Sequence, residues 1–397
     1  MKRILFYTEN FCDASSKGGL EVATYRIAKS LQNLGGFEAY HAFRRKSDGK
    51  EGSIYKDVVK LPPFSGPFEK RLANFIRNNK IDIVVNMTRF FRHKSIYKAS
   101  KNVGDDVKVI FMQHFAPGSE MKKGTFRSGF HLLKLNPYNP LYWLRSTFYP
   151  LLKMSRNVRL KKIYRTTYHQ SDKVVLLSKG YKEDYKKIAG LNNEQKFISI
   201  PNIFEREKSS DGESLLREKQ KKVLILSLMD EIQKLMSLAL NIWKKIENHP
   251  ELNEWQLEIV GSGHNTDIVK RLIRKLKLKN VTYHGWKPGN DFLKNSSILI
   301  STSEYEGLPL SILEAQAYGT VPIAFNSYAS LEDVVQNGVT GVIIEKFGDC
   351  EAFADSLAEL MTQKEKREAI ARAAFDSSER FSQERIGGEW KRMIENL

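Results

Sequence analysis

Two glutamates separated by seven residues, Glu306 and Glu314, flank Gly307-Leu308-Pro309 in the stretch EYEGLPLSILEAQAYGTVPIAF. Ahead of them, Ile298 to Thr302 is a short apolar, β-branched run that predicts a buried strand. From Pro309 to Tyr318, apolar residues at helical spacing predict a helix that stops at Gly319. A helix starting at the carboxyl end of a strand offers unpaired N–H groups and the positive end of its dipole to an anion, and open α/β sheets bind ligands at that end. Two carboxylates beside such a seat repel phosphate. They suit neutral hydroxyls instead, because an ionised carboxylate accepts two hydroxyl donors at once. A ligand carrying both phosphate and hydroxyls, a nucleotide sugar, satisfies both halves of the pattern. The same acids also fit a helix cap and a solvated helix face.

Two other places could do chemistry. Lys17-Gly18-Gly19-Leu20-Glu21 lies between a predicted strand, Lys2 to Tyr7, and a predicted helix, Leu20 to Leu34. Paired glycines there permit positive φ and close backbone approach to a phosphate or sugar, or simply make a turn. His114 directly follows the apolar strand Val107 to Gln113. A neutral imidazole at a strand's carboxyl end can donate or accept one hydrogen bond to a ligand, and local backbone can equally satisfy it.

These residues need elements to hold them. Apolar runs at 2–7, 37–43, 81–86, 107–113, 173–177 and 197–200, then at 223–228, 255–260, 281–285 and 298–302, alternate with helical patterns. That predicts an α/β chain with parallel sheets. With 397 residues there is room for two domains with full cores. Residues 205–220, EREKSSDGESLLREKQ, are polar without a core pattern and are read as the interdomain linker.

Charge divides the chain in the same place. Residues 1–210 carry 40 Lys+Arg against 18 Asp+Glu, whereas 211–397 carry 24 against 28. A basic half calls for an anionic partner. Within it, residues 121–171 hold 11 Lys+Arg and no acid, interleaved with aromatics such as Phe126, Tyr142, Trp143 and Tyr149. The composition suits an anionic membrane surface, and we place that contact at 121–165; it also suits single-stranded nucleic acid or an insertion packed on its own domain. No recognisable nucleic-acid module is present, which argues against a nucleic-acid partner. KRILFYT reads as a first strand rather than a signal peptide, and no apolar run reaches about 18 residues. The expected location is cytoplasmic, with peripheral attachment to the inner membrane face. Cys12 and Cys350 have no metal-ligand or disulfide spacing, as in a reducing compartment.

Together the motifs resemble the retaining glycosyltransferases of family 4. The resemblance rests on EYEGLPLSILEAQAYGTVPIAF, on Asn337-Gly338-Val339-Thr340-Gly341-Val342, on SDKVVLLSKGYKEDY, ISIPN and SQERIGGEWKRMIENL, and it runs over nearly the whole chain. It implies a GT-B fold: two Rossmann-like domains facing across a cleft, residues 1–204 for the acceptor and 205–380 for the nucleotide sugar. A terminal helix, 381–397, returns to the first domain. It implies transfer of a sugar, with retention, from a nucleoside diphosphate sugar, uridine by family frequency. The acceptor would be a hydroxyl of a glycan or lipid-linked saccharide in capsule, exopolysaccharide or lipopolysaccharide assembly. Residue by residue, Glu306 would hold a sugar hydroxyl, Glu314 the ribose, His114 the donor sugar near its primary hydroxyl and Lys234 the diphosphate. Gly18, Gly19, Asn202, Gly307 and Leu308 would line the donor site. No Asp-x-Asp occurs, so no metal cofactor is expected. One position departs from the family: six residues before Lys234 stands Leu228, where an arginine is usual. Leucine supplies no bidentate hydrogen bonds to a diphosphate. A donor-deficient glycan- or membrane-binding protein is therefore the alternative.

Overall fold

The computed structural model describes residues 1–16, 18–45, 54–122, 156–206 and 212–397. Lys17, most of the basic segment 121–165 and part of the 205–220 stretch lie outside the described residues. Two compact units result. The first takes in Met1–Gly118, the described part of Met154–Glu205, and Phe381–Leu397; the second takes in the described parts of Ser119–Lys153 and Arg206–Arg380.

The first unit is built on seven strands: β1 (Lys2–Tyr7), β2 (Phe37–Phe43), β3 (Val58–Lys60), β4 (Ile83–Asn86), β5 (Lys108–Gln113), β6 (Lys173–Leu176) and β7 (Phe197–Ser199). Their order is β3-β2-β1-β4-β5-β6-β7, with every pair parallel. Such strands are covered on both faces and so read as unbroken apolar runs; Ile4, Leu5, Phe6 and Tyr7 are all buried. The helix Gly19–Asn33 packs against the helix Gln383–Glu395. Gly387 permits the approach, since a Cβ there would lie 1.9 Å from Ser30 Oγ. Trp390 and Ile394 are fully buried on the same helix, each worth about 1.5–3 kcal/mol. Ser30 Oγ donates to the Gln383 carbonyl at 3.1 Å, and Lys2 Nζ to that of Ile394 at 2.7 Å.

The second unit repeats the plan with six strands: β8 (Gln220–Leu226), β9 (Gln256–Val260), β10 (Val281–Gly285), β11 (Ser296–Ser301), β12 (Val321–Phe325) and β13 (Val342–Ile344). They run parallel in the order β10-β9-β8-β11-β12-β13. In both sheets the connections reverse direction beside the first strand, between β1 and β4 and between β8 and β11. Ligands of doubly wound sheets bind at the carboxyl ends beside such a reversal.

The 205–220 stretch differs from its reading. It contains the helix Gly212–Arg217, with Leu215 and Leu216 buried, and β8 begins at Gln220. Two adjacent leucines in a single turn are too few to show a period. Among the described residues no helix is long and apolar enough to cross a membrane.

Candidate functional site

In the second unit the loop leaving β8, residues 227–235, meets the loop leaving β11, residues 302–309. Asp230 shapes the first: its Oδ1 accepts from the N–H of Ile232 and of Gln233, both at 2.7 Å, and its carbonyl accepts from the N–H of Lys234 and Leu235. Leu235 then takes left-handed backbone angles, φ 50° and ψ 53°, which cost a residue with a Cβ about 1–2 kcal/mol. Thr302 helps hold that conformation by donating from Oγ1 to the Lys234 and Leu235 carbonyls at 2.8 and 3.2 Å. The Glu304 N–H reaches the Gln233 carbonyl at 2.7 Å.

The other flank of the loop rests on Gly261-Ser262-Gly263, where β9 ends. The Met229 N–H donates to the Ser262 carbonyl at 3.2 Å, and the Asn265 N–H to the Met229 carbonyl at 3.1 Å. A Cβ on Gly263 would stand 2.5 Å from the Met229 oxygen, and Gly261 has φ +136°, so both positions demand glycine. Fully buried Glu231 accepts from the Ser237 N–H at 2.8 Å, at the start of the helix Met236–Ile246, where a carboxylate complements the dipole.

This platform presents Lys234 to Glu306. Lys234 Nζ pairs with Glu306 Oε1, their side chains 18% and 11% exposed. Gln233 Nε2 donates to Glu306 Oε2 and to the Tyr305 carbonyl, both at 3.1 Å. The pair sits between the carboxyl ends of β8 and β11, at the reversal point of the sheet. An ammonium has three donors and a carboxylate about four acceptor sites, so each keeps capacity for a ligand. Gly307 is half-buried, and Leu308 turns its side chain into the protein. The helix that follows spans Leu310–Ala317, one residue shorter at each end than the sequence reading; Pro309 precedes it and no side chain caps it. Half-buried Glu314 lies on its second turn. Buried Gln316 fixes this helix by donating to the Val334 and Thr340 carbonyls at 3.0 Å. Leu228 is 50% exposed in the same loop as Lys234.

The first unit holds the remaining candidates. Gly18 precedes the helix Gly19–Asn33 with φ −78°, and neither it nor Gly19 has positive φ. The positive φ that these glycines permit is thus not used. Gly18 instead makes room for Glu21, whose Oε2 would lie 2.1 Å from a Cβ there, and Glu21 Oε1 accepts from Asn10 Nδ2 at 2.7 Å. A carboxylate of the chain itself therefore lies over the glycine loop. His114 follows β5, and its Nε2 is buried without a hydrogen-bond partner among the described residues. Burial pushes its pKa down to about 4, leaving a neutral ring near pH 7. Asn202 follows β7; it is 5% exposed, and its Oδ1 has no partner among the described residues. Thus Lys234 and Glu306 are joined directly, with Gly307, Leu308 and Glu314 on the same loop and helix, whereas Gly18, Gly19, His114 and Asn202 belong to the other unit.

Sequence reasoning missed the residues that build the platform. Gln233, Asn265 and Thr302 bond across sequence separations no motif spans, whereas Asp230 makes a local turn; the glycines at 261 and 263 signal a close approach. Among the described residues, no cluster of three or more His, Cys, Asp or Glu could hold a metal ion.

Two parallel sheets of this order define the class: the chain has the GT-B fold of glycosyltransferases. It aligns over its whole length with the crystal structure of Anabaena Alr3699/HepE in complex with UDP and glucose, at 16% identity and a TM-score of 0.71, covering 100% of both chains. Residues 207–377 match the family described as "Glycosyl transferases group 1". Among characterised relatives, the chain is similar to the amylovoran biosynthesis glycosyltransferase AmsD of Erwinia amylovora, 25% identical over 60% of this chain and 66% of that protein. It is also similar to the poly(glycerol-phosphate) alpha-glucosyltransferase of Bacillus subtilis, 26% identical over 58% of this chain and 34% of that protein. The matched stretches thus span less than two thirds of either relative.

Proposed function

We propose that the protein is a retaining glycosyltransferase that moves a hexosyl group from a uridine diphosphate sugar to a hydroxyl of a glycan or lipid-linked acceptor in surface polysaccharide assembly. The observation that carries this reading is the Lys234–Glu306 pair at the β8/β11 reversal, beside an uncapped helix N-terminus and Glu314. Lys234 would take most of the charge that develops on the leaving diphosphate, with the Ser311 N–H beside it, since the N–H groups of Leu310, Ile312 and Leu313 already donate to the Leu308 and Pro309 carbonyls. Glu306 accepts from a hydroxyl of the donor sugar, and Glu314 from the ribose hydroxyls. With burial pushing its pKa down to about 4, His114 is too weak a base to keep an abstracted proton near pH 7, so its role is hydrogen bonding to the donor sugar. The bond from anomeric carbon to phosphate oxygen breaks, the bond to the acceptor oxygen forms on the same face, and the acceptor proton passes to the leaving phosphate. No metal cofactor is assigned, in keeping with the lack of Asp-x-Asp. The relatives named for amylovoran and poly(glycerol-phosphate) chemistry support a polymeric or phosphate-bearing acceptor, and the basic first half suits one, in solution or at the inner membrane face.

The half-exposed Leu228 favours one competing reading, a protein that keeps the fold and binds glycan without transfer. Incubation with UDP-glucose, UDP-galactose or UDP-N-acetylglucosamine and a glycan acceptor, with EDTA, separates the two. Transfer with an α-linked product by NMR supports the proposal. Absence of transfer and of donor hydrolysis with all three, in a protein that Leu228→Arg does not revive, supports the binding protein.

A further inference from the structure

At the opposite ends of the same strands, the second unit holds a cavity of about 570 Å³. Its floor is the start of β8 at Gln220, Ser297 near the start of β11, and Gly319 just ahead of β12; its walls come from the helices Gly212–Arg217 and Lys364–Ser377. Ligand pockets commonly measure about 300–1,000 Å³, so this one suits a small molecule.

Its lining is unlike its surroundings. Residues 211–397 carry more acid than base, 28 against 24, yet among the described residues the cavity is lined by Arg217, Lys219, Lys221, Lys364, Arg367 and Arg372 against Glu213 and Glu368. The acids are shared. Glu213 accepts from Arg372 Nε at 2.7 Å, while Glu368 lies 3.8 Å from both Lys364 and Arg372. Lys221 turns to Glu254.

Two deeper cations have neutral partners. Lys219 Nζ donates to the Leu293 carbonyl at 2.6 Å and to Thr320 Oγ1 at 2.9 Å. Arg367 Nη1 donates to the Leu360 and Met361 carbonyls at 2.6 and 3.1 Å, with its guanidinium over the Trp255 ring. Burial lowers the pKa of both, that of Lys219 to about 7, against the opposing pull of Glu218 on Lys219 and of Glu368 on Arg367, so removal from water outweighs the neighbouring carboxylate in each. Exposed Arg217 has no ion pair among the described residues. Cations that converge on a concave, partly dehydrated space with too few carboxylates make a seat for a multiply charged anion, and guanidinium forks match phosphate oxygens.

We propose that this basic cavity is a binding site for a phosphate-bearing ligand, separate from the Lys234–Glu306 site and at the other end of the sheet. The phosphate can belong to a soluble metabolite or to a lipid headgroup.

Inorganic pyrophosphate is the probe, titrated calorimetrically into four forms of the protein. They are wild type, Lys234→Ala, the cavity variant Arg217→Gln/Lys221→Gln/Lys364→Gln, and the charge-matched control Lys270→Gln/Lys275→Gln/Lys279→Gln. All six glutamine positions are exposed, so the folds should survive. The expected result is a binding component that persists in Lys234→Ala and in the control, and weakens at least about ten-fold in the cavity variant, a loss of about 1.4 kcal/mol. Vesicles of phosphatidylglycerol that sediment wild type and not the cavity variant would assign the phosphate to a lipid; pyrophosphate binding without such sedimentation would assign it to a soluble ligand. The proposal is overturned if the cavity variant binds pyrophosphate like wild type, if the control weakens as much, or if the only component vanishes in Lys234→Ala.

Discussion

The two units share one strand order through six strands, yet the carboxyl ends of their sheets hold different chemistry. Around the β8/β11 reversal the second unit places a mutually neutralising ion pair, Lys234–Glu306, on a loop clamped from both sides. At the end of β1 the first unit places Glu9 against Arg44 and Arg45, with Arg44 at 2.7 Å. It also holds three histidines as neutral rings: buried His41 and His93, pushed down to about 3, and half-buried His114 with its Nε2 enclosed, pushed down to about 4. The same fold thus presents a lysine–glutamate pair at the strand ends of one half, and neutral imidazoles beside an arginine–glutamate pair at those of the other. A topology fixes where a site lies, and the residues at strand ends decide what it does.

The largest expected effect tests the second unit. Glu306→Ala removes the acceptor facing Lys234 and should lower kcat/KM for the donor by about 10²–10³, the size seen when one preorganised polar contact is removed. Chemical denaturation of the same variant should show about 3 kcal/mol lost, because Lys234 keeps its charge without its partner. An unchanged rate would remove the pair from the chemistry.

Acid should single out the first unit. Folded pKa values below the ordinary histidine value mean that the unfolded chain binds more protons from about pH 6.5 down to about pH 3–4. Stability is therefore retained above that window and lost as pH falls through it, by up to about 1.4 kcal/mol per pH unit for each histidine. Urea titrations with pulse-labelling hydrogen exchange should show peptides of β1 and β5 losing protection in acid before those of β8 and β11. Equal loss in both units would break the contrast.

Smaller effects sharpen it. Gly387→Ala forces a methyl against Ser30 and should cost about 1–3 kcal/mol, read as a lower Tm and restored in part by Ser30→Ala. Lys219 gives the second unit its own pH response, at the alkaline end. Because its folded pKa is lowered to about 7, the unfolded state binds more protons above that, so the penalty is full below about pH 7 and relieved toward about pH 10.5. Lys219→Met should flatten stability against pH in that interval; an unaltered slope would place the titrating group elsewhere.

Much of this fold is legible in the sequence because parallel strands covered on both faces appear as unbroken apolar runs, as in Ile4 to Tyr7 and Ile298 to Ile300. What escaped is what breaks that rule. β3 has three residues and only Val59 buried, and the helix Thr266–Lys275 is so rich in Lys and Arg that Ile268 and Val269 alone are buried. Glu306, Glu314 and the glycine–leucine–proline turn stand out by local spacing. The partners that orient Glu306 do not, since Gln233 lies 73 residues away in sequence and only the folded sheet brings β8 beside β11. Gly18 shows the converse: its type is visible, but its reason, the Glu21 carboxylate, is a tertiary fact.

The most direct test of the central claim is a thermal-shift comparison of UDP, GDP, ADP and TDP, each with and without EDTA, on wild type and Glu314→Ala, because a ligand that binds only the folded state raises its stability by mass action. UDP should give a shift that EDTA leaves intact and Glu314→Ala abolishes. A folded protein that no nucleotide shifts, or a UDP shift indifferent to Glu314, would contradict it.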